Sequence, residues 1–159
     1  MRATCFLSNQ DIFDRAVEHL NTQRGAALLP RGGGAYQGPC GGCPVGHFIC
    51  ALDYTTAMEG VPVRYLSNTT RNHPTYMDAG IKALQKALLR ARIDVHDECT
   101  VALLSCLQNV HDAFGTWEWT ERLASIARDF NLSTNNIRAS ADGSKGQFAR
   151  AETGAGFFI

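Results

Sequence analysis

The chain has 159 residues, of which 45% are hydrophobic and 19% are charged. These proportions are those of a globular protein and exclude an intrinsically disordered one, and the length predicts a single domain with its own hydrophobic core. Fifteen basic residues balance fifteen acidic residues, so no global positive charge favours binding to nucleic acid or to an anionic membrane.

The first predicted element is an amphipathic helix over residues 9–21. Ser8 is a suitable N-cap, and Asp11, three residues later, completes a capping box. The apolar residues recur at helical spacing and form one stripe, which consists of Ile12, Phe13, Ala16, Val17 and Leu20.

A glycine-rich segment follows this helix. Nearly half of the chain's 15 glycines lie between residues 32 and 46, a density that a regular helix does not tolerate. We interpret residues 27–29 and 35–37 as two short extended pieces of a small hairpin. The glycine triplet at 32–34 matches neither a phosphate-binding loop nor a dinucleotide fingerprint, because no lysine–serine pair and no strand–helix context follows at the required spacing.

A second helix is predicted over residues 44–54. Pro44 suits the first helical position, where a missing N–H costs nothing. The predicted buried face of this helix consists of Val45, Phe48, Ile49 and Leu52. Gly60 and Pro62 then interrupt the helical pattern, and residues 61–66 are predicted to be extended.

Three further helices are predicted over residues 76–92, 99–114 and 117–130, each with an apolar stripe at helical spacing. Asn131 can end the last of them in the left-handed conformation. The first of these helices also carries a local basic run, typical of a solvated helix face, which consists of Lys82, Lys86, Arg90 and Arg92.

The predicted fold is therefore mainly α, a compact single domain of about five helices with a glycine-rich loop or small hairpin. We place this domain at residues 1–132. The helical pattern then stops, and residues 133–159 are predicted to form an irregular extension rich in glycine, serine and alanine. The apolar end of this extension, Phe157, Phe158 and Ile159, predicts burial against the same chain or against a second copy in a homo-oligomer.

Several short motifs resemble a family of small uncharacterised proteins that are encoded by tailed phages and prophages. They are IFDRAVEHLNTQ, AYQG, CPVGHFI, MEG followed by a valine, LQNVHD, and a tryptophan before LASIARDFNL. The resemblance spans residues 10–132, and its most specific parts are CPVG at 43–46, MEG at 58–60 and LQNVHD at 107–112. It implies a phage-related setting and no particular reaction.

The chain departs from the pattern of that family at two places. Relatives often carry a cysteine where this chain has Gly34 and another where it has His47, and Cys40 is not part of the pattern. A metal site shared by the family would therefore have lost one ligand here and exchanged another.

Membrane association and secretion are not expected. No stretch approaches the ~20 apolar residues that span a bilayer, and the first ten residues lack an apolar signal core. We therefore expect a cytoplasmic protein whose six cysteines are reduced.

The segment GPCGGCPVGHFICALDY, residues 38–54, raises the alternative of a metal site. Its candidate ligands, at spacings known from zinc proteins, are Cys40, Cys43, His47 and Cys50. Cys43 and Cys50 would be about 10 Å apart along a helix, so both cannot bind one ion. A site would then need a distant ligand such as His111, and we predict no metal and no cofactor.

The same segment raises the alternative of a thiol nucleophile. A thiolate of Cys43 at a helix N-terminus would be stabilised by the helix dipole, which lowers a cysteine pKa. The base would be His111 or His47. Asp112 is adjacent to His111 in a predicted helix, so their side chains should diverge by about 100°, which makes Asp112 a poor orienter of the imidazole.

The glycines of this segment also suggest a binding loop. Because glycine lets another group approach the backbone closely, we predict ligand contacts from Gly41, Gly42 and Gly46, together with Tyr36. The structural alternative is that Cys43 and these glycines only cap and pack.

Taken together, the sequence favours a phage- or prophage-type accessory protein that acts as a small binding or interaction module. Its partner would be a host protein, a small anionic ligand or a second copy of the chain, and nucleic acid is disfavoured. One alternative is a thiol-dependent hydrolase or transferase that uses Cys43. Another is a minor virion component that docks through residues 133–159. The sequence leaves open whether the protein is an enzyme.

Overall fold

The computed structural model describes residues 5–38, 41–67 and 72–137. Its α-helices are α1 (Asn9–Thr22), α2 (Asp78–Arg90), α3 (Glu98–Ala113) and α4 (Thr116–Asp129). Short 3-10 helices lie at Gly46–Phe48, Thr56–Met58, Val63–Leu66 and Thr75–Met77. The described part of the chain contains no strand, and the predicted mainly α fold is confirmed. None of its helices is long and apolar enough to cross a membrane.

Helix α3 is the central element of the core. It packs against α1, against α4 and against the 3-10 helix at Val63–Leu66. Its buried residues lie on one broad face that covers about half of its circumference, and they include the polar side chains Gln108 and His111 as well as Leu103, Leu104 and Leu107. These two polar side chains meet the glycine-rich loop.

The ends of α1 and α4 follow the sequence pattern. The Ser8 hydroxyl accepts a hydrogen bond from the Asp11 N–H at 3.1 Å, and the Asp11 carboxylate accepts one from the Ser8 N–H at 3.1 Å, which confirms the capping box. Asn131 has a φ of 53°, as expected for a residue that ends a helix in the left-handed conformation.

The predicted helix over residues 44–54 is wrong in type and length. Only Gly46–Phe48 is helical, and it is a 3-10 helix that is followed by turns. The Cys43 N–H donates to the Ala35 carbonyl at 2.7 Å, which ties the start of the segment to the glycine-rich loop. Leu52, predicted to be buried, is 93% exposed.

The predicted extended run over residues 61–66 is also wrong, because Val63–Leu66 forms a 3-10 helix. The Val63 N–H donates to the Gln108 side-chain oxygen at 3.0 Å. This long-range hydrogen bond to α3 holds residues 63–66 in a 3-10 helix, although the β-branched residues of the segment favour a strand.

The predicted hairpin is present in minimal form. A single antiparallel bridge joins Leu28 to Gly34, and the Ala35 N–H donates to the Ala27 carbonyl at 2.7 Å. Gly32 and Gly33 at its tip have φ values of 87° and 84°, which only glycine adopts readily.

The predicted extension at residues 133–159 lies outside the described residues from residue 138 onward. The expected burial of Phe157, Phe158 and Ile159 and the homo-oligomer through this extension therefore stay predictions. Cys40 also lies outside the described residues.

Candidate functional site

Tyr36 anchors the glycine-rich loop in the helical body. Its side chain is 1% exposed. Its hydroxyl donates to the Val61 carbonyl at 2.5 Å and accepts a hydrogen bond from the Gln108 side-chain amide at 3.1 Å. Burial raises the pKa of Tyr36 far above its ordinary value. The phenol is therefore a neutral structural group that joins three separate segments.

Glu59 holds the backbone of the same loop. Its two carboxylate oxygens accept hydrogen bonds from the Tyr36 N–H at 3.0 Å and from the Gln37 N–H at 3.2 Å. The Tyr54 hydroxyl donates to the same carboxylate at 2.9 Å. Burial and the hydrogen bond to Glu59 raise the pKa of Tyr54. A charged acceptor thus satisfies two loop N–H groups that have no strand partner.

Gly42 and Gly46 pack on the backbone of Tyr36. A Cβ atom added to either glycine would lie 1.8 Å from the Tyr36 carbonyl oxygen. The space in which a ligand group could approach these glycines is filled by the chain itself. Their predicted role in ligand binding, and that of the buried Tyr36, therefore gains no support from the geometry.

Gly41 is exposed, with a φ of 95°, and lies near the Gln23 amide rather than near the other predicted ligand contacts. Its neighbour Gly42 is held by α1, since the Gly42 carbonyl accepts hydrogen bonds from His19 Nε2 at 2.8 Å and from Gln23 at 2.7 Å.

His111 and Asp112 form a hydrogen-bonded pair. His111 is fully buried, and its Nε2 accepts a hydrogen bond from the Ala27 N–H at 2.9 Å. The ring proton therefore lies on Nδ1, which donates to the Asp112 carboxylate at 2.8 Å. The expectation that Asp112 is a poor orienter of His111 is wrong. The Cα–Cβ bonds of adjacent helical residues point in different directions, but the side chains of His111 and Asp112 are long enough for Nδ1 and the carboxylate to form this hydrogen bond.

This pair does not form a general base for Cys43. The lone pair of Nε2 that would take a proton already accepts the Ala27 N–H, so removing that hydrogen bond would leave a buried donor without a partner. The described contacts of His111 are structural. They join the hairpin to α3 and place the ring 6.0 Å from the indole of Trp119.

Cys43 lies in the hydrophobic core and is 0% exposed. Burial raises the pKa of its thiol to about 12, which contradicts the lowered pKa that a helix N-terminus would have produced. The Gly46 N–H points to Sγ at 3.4 Å, but the 3-10 helix there is too short to supply an appreciable dipole. The environment of Cys43 is that of a small core residue.

His47 lies on the surface. Its ring stacks on His19 with the two centroids 4.4 Å apart. Burial in this stack, followed by the proximity of His19, lowers the pKa of His47. No group of three or more metal-binding side chains occurs among the described residues, which do not include Cys40.

Four of the motifs, AYQG, CPVG, MEG and LQNVHD, meet at one place in the fold. Tyr36 comes from AYQG, Gly42 and Gly46 flank or belong to CPVG, Glu59 belongs to MEG, and LQNVHD supplies Gln108, His111 and Asp112. No family model, curated protein or solved structure matches the chain. The geometry of the motif cluster around Tyr36 is therefore the basis for the proposed function.

A cleft of about 170 Å³ opens beside the buried network. The glycines at 33, 34 and 60 form part of its wall with their backbone, and its polar side chains are Arg64, Ser105, Gln108, Asn109 and Asp112. Gly34 lies close to Asp112 there, since an added Cβ would lie 1.9 Å from an Asp112 carboxylate oxygen and would force that side chain to move. The cleft thus combines a guanidinium and a carboxylate with several neutral hydrogen-bonding groups.

The sequence pattern did not bring these residues together in one cleft. Gln108, Asn109 and Asp112 belong to the LQNVHD motif, so this motif could have indicated them. Arg64 carries no local signal, because only the tertiary fold brings the 3-10 helix at Val63–Leu66 to the side of α3.

Proposed function

We propose that this protein is a small binding module and that the cleft between Arg64 and Asp112 holds its ligand, a small zwitterion with an ammonium group and a carboxylate. The observation that carries the proposal is that a basic and an acidic side chain line one small cleft. Arginine binds a carboxylate through two parallel hydrogen bonds, and a carboxylate accepts hydrogen bonds from an ammonium group.

The size and rigidity of the cleft support a small ligand. A cavity of ~150 Å³ holds a molecule the size of benzene, and this cleft has about 170 Å³. Asp112 is held by the buried ring of His111, and Gln108 is held by Tyr36 and Val63. A wall fixed in this way loses little entropy when a ligand binds.

A purely anionic ligand, one of the partners expected from the sequence, has less support. The Asp112 carboxylate, whose side chain is 25% exposed, lines the same cleft and would repel a second negative charge. The thiol-dependent hydrolase or transferase also has less support, because Cys43 is buried with a raised pKa and His111 Nε2 is engaged.

The setting of a phage- or prophage-encoded accessory protein remains part of this proposal. It depends on the short motifs. Since several of these motifs contact one another around Tyr36, packing around this residue explains why they occur together. Docking to a virion through residues 133–159 involves a segment that lies outside the described residues from residue 138 onward.

The proposal is tested by protein-observed NMR titration with the free amino acids. We expect at least one of them to shift the amide resonances of Gly33, Gly34, Gly60 and Asn109, and we expect Arg64→Gln to abolish the shifts. Arg128→Gln is the matched control, because Arg128 is an exposed arginine that does not line the cleft.

Two results would contradict the proposal. One is that no amino acid shifts these amides. The other is that acetate or phosphate shifts them as strongly as the zwitterions do, which would indicate an anion site at Arg64 alone.

A further inference from the structure

A second surface, formed by α2 and the turn at residues 50–55, differs from the cleft in place and in chemistry. Lys82, Lys86 and Arg90 follow one another at intervals of four residues along α2, so they form one row on the helix surface. This row lines a groove of about 400 Å³. Leu52, Ala83 and Ala87 provide the apolar part of the groove.

One apolar side chain of this groove is widely open to solvent, whereas Ala87 is buried. Leu52 is 93% exposed, the most exposed of the large hydrophobic side chains in the described residues. On the other side of the basic row lies a second hollow of about 370 Å³, which contains Leu89. The basic row thus has apolar surface on both sides, whereas Leu84 and Leu88 on the opposite face of α2 are buried in the core.

The positive charge of the row is only partly neutralised. Arg90 forms an ion pair with Asp53, which ties the turn to the C-terminal end of α2. In the described part of the chain, Lys82 and Lys86 have no carboxylate within ion-pair distance. Two neighbouring lysines therefore present their charge beside the exposed Leu52.

We propose that this α2 groove binds an acidic amphipathic helix of a partner protein. Lys82, Lys86 and Arg90 are spaced at about 6 Å along the helix axis, which matches carboxylates at i, i+4 and i+8 on a helix that lies alongside α2. An apolar side chain of the same helix would cover Leu52. Recognition of an amphipathic helix in a groove uses this combination of apolar anchor and flanking charge.

Charge favours a protein over nucleic acid or a membrane as the occupant. Binding to a phosphate backbone or to anionic lipids relies on clusters of many cations, but this groove has two unpaired lysines and contains the carboxylate of Asp53. The chain as a whole has no net charge. A partner helix, by contrast, gains from both the lysines and the apolar surface.

The test uses a fluorescein-labelled, alanine-based helical peptide with glutamates at i, i+4 and i+8 and leucines on the adjoining face. We expect the full chain to bind it in fluorescence anisotropy measurements. The double variant Lys82→Glu/Lys86→Glu should bind at least about tenfold more weakly, since like charges then face each other. Leu52→Asp should also weaken binding.

The matched control is Arg24→Glu/Arg128→Glu, which changes the net charge equally at exposed positions outside the groove. A peptide with lysines in place of the glutamates should bind the Lys82→Glu/Lys86→Glu variant better than the wild type. This charge exchange keeps the test decisive even if one variant is less stable. Circular dichroism verifies that each variant is folded.

Several outcomes would overturn the proposal. They are no binding of the glutamate peptide, equal binding of a glutamine version, and equal loss of binding in the control variant. Binding of a DNA duplex that requires Lys82 and Lys86 would assign the groove to nucleic acid. A dimer that Leu52→Asp dissociates would assign it to a second copy of the chain.

Discussion

The carbonyl oxygen of Tyr36 occupies the place where Gly46 would carry a side chain. A Cβ atom on Gly46 would lie 1.8 Å from that oxygen and 2.6 Å from the carbonyl carbon. A Cβ atom on Gly42 would also lie 1.8 Å from the Tyr36 carbonyl oxygen. Gly42 and Gly46 are thus needed for packing against this carbonyl. The hydroxyl of Tyr36 anchors the loop through a hydrogen bond to the Val61 carbonyl.

Gly46→Ala should destabilise the protein strongly, because the methyl group meets backbone that cannot move without breaking the hydrogen bonds of Tyr36 to Glu59 and Val61. We expect a loss of about 3 kcal/mol in the free energy of unfolding, the upper part of the range for overpacked sites. Urea denaturation measures it. Gly25→Ala is the control, since no atom lies within 4 Å of its added Cβ, and an equal effect of the two would contradict the packing role.

Tyr36→Phe should cost about 1–3 kcal/mol of stability, because it leaves the Val61 carbonyl and the Gln108 amide without a partner in the core. The exposed Tyr76 offers the matched control, Tyr76→Phe, which should be nearly neutral. Urea denaturation of both variants measures the change in the free energy of unfolding. A neutral Tyr36→Phe would mean that solvent or another group satisfies the two partners.

The helices that the sequence predicts correctly are those with an uninterrupted apolar stripe and strong local signals. Helix α1 has both the stripe and the Ser8–Asp11 capping box, and both are present in the structure. The α2, α3 and α4 helices likewise coincide with predicted helices to within a few residues. In these segments local propensity and tertiary packing favour the same conformation.

The segment at 44–54 was mispredicted because tertiary contacts override its helical spacing. Val45 and Ile49 are buried as the stripe requires, but Leu52 is not. The Cys43 N–H pairs with Ala35, and Gly46 is pressed against Tyr36. Such long-range constraints leave no local trace in the sequence. For the same reason the cleft between Arg64 and Asp112 could not be predicted.

The stacked pair of His19 and His47 makes stability depend on pH. Burial in the stack, and then His19 itself, lower the pKa of His47 below its ordinary value of 6.5, with Glu18 opposing and Arg15 adding to the effect. The unfolded chain therefore binds more protons than the folded chain as the pH falls below about 6.5. The contribution of His47 to stability is present above that pH and is lost below it.

We expect the free energy of unfolding of the wild type to fall as the pH drops below about 6.5. His47→Gln should reduce the slope of this fall. His96→Gln, which replaces an exposed histidine, should leave the slope unchanged. Denaturation series at several pH values provide the comparison, and an unchanged slope in His47→Gln would show that other groups cause the pH dependence.

Cys43 should react slowly with iodoacetamide at neutral pH. Its side chain is 0% exposed, and burial raises the pKa of its thiol to about 12, so the reactive thiolate is scarce and inaccessible. Cys50, seven residues later and exposed, is an internal control in the same molecule. Peptide mapping by mass spectrometry should find Cys50 alkylated first, and Cys43 only at the rate at which the protein unfolds.

Denaturant distinguishes this explanation from a chemically inert thiol. A concentration of urea that populates the unfolded chain should bring the alkylation rate of Cys43 close to that of Cys50, because the pKa then returns to its ordinary value near ~8.5. If Cys43 instead reacted as fast as Cys50 in the native protein, with a pH midpoint below about 7, its thiolate would have to be stabilised by a nearby positive charge. That result would contradict the core environment of Cys43 and would favour the thiol-dependent enzyme over the binding module.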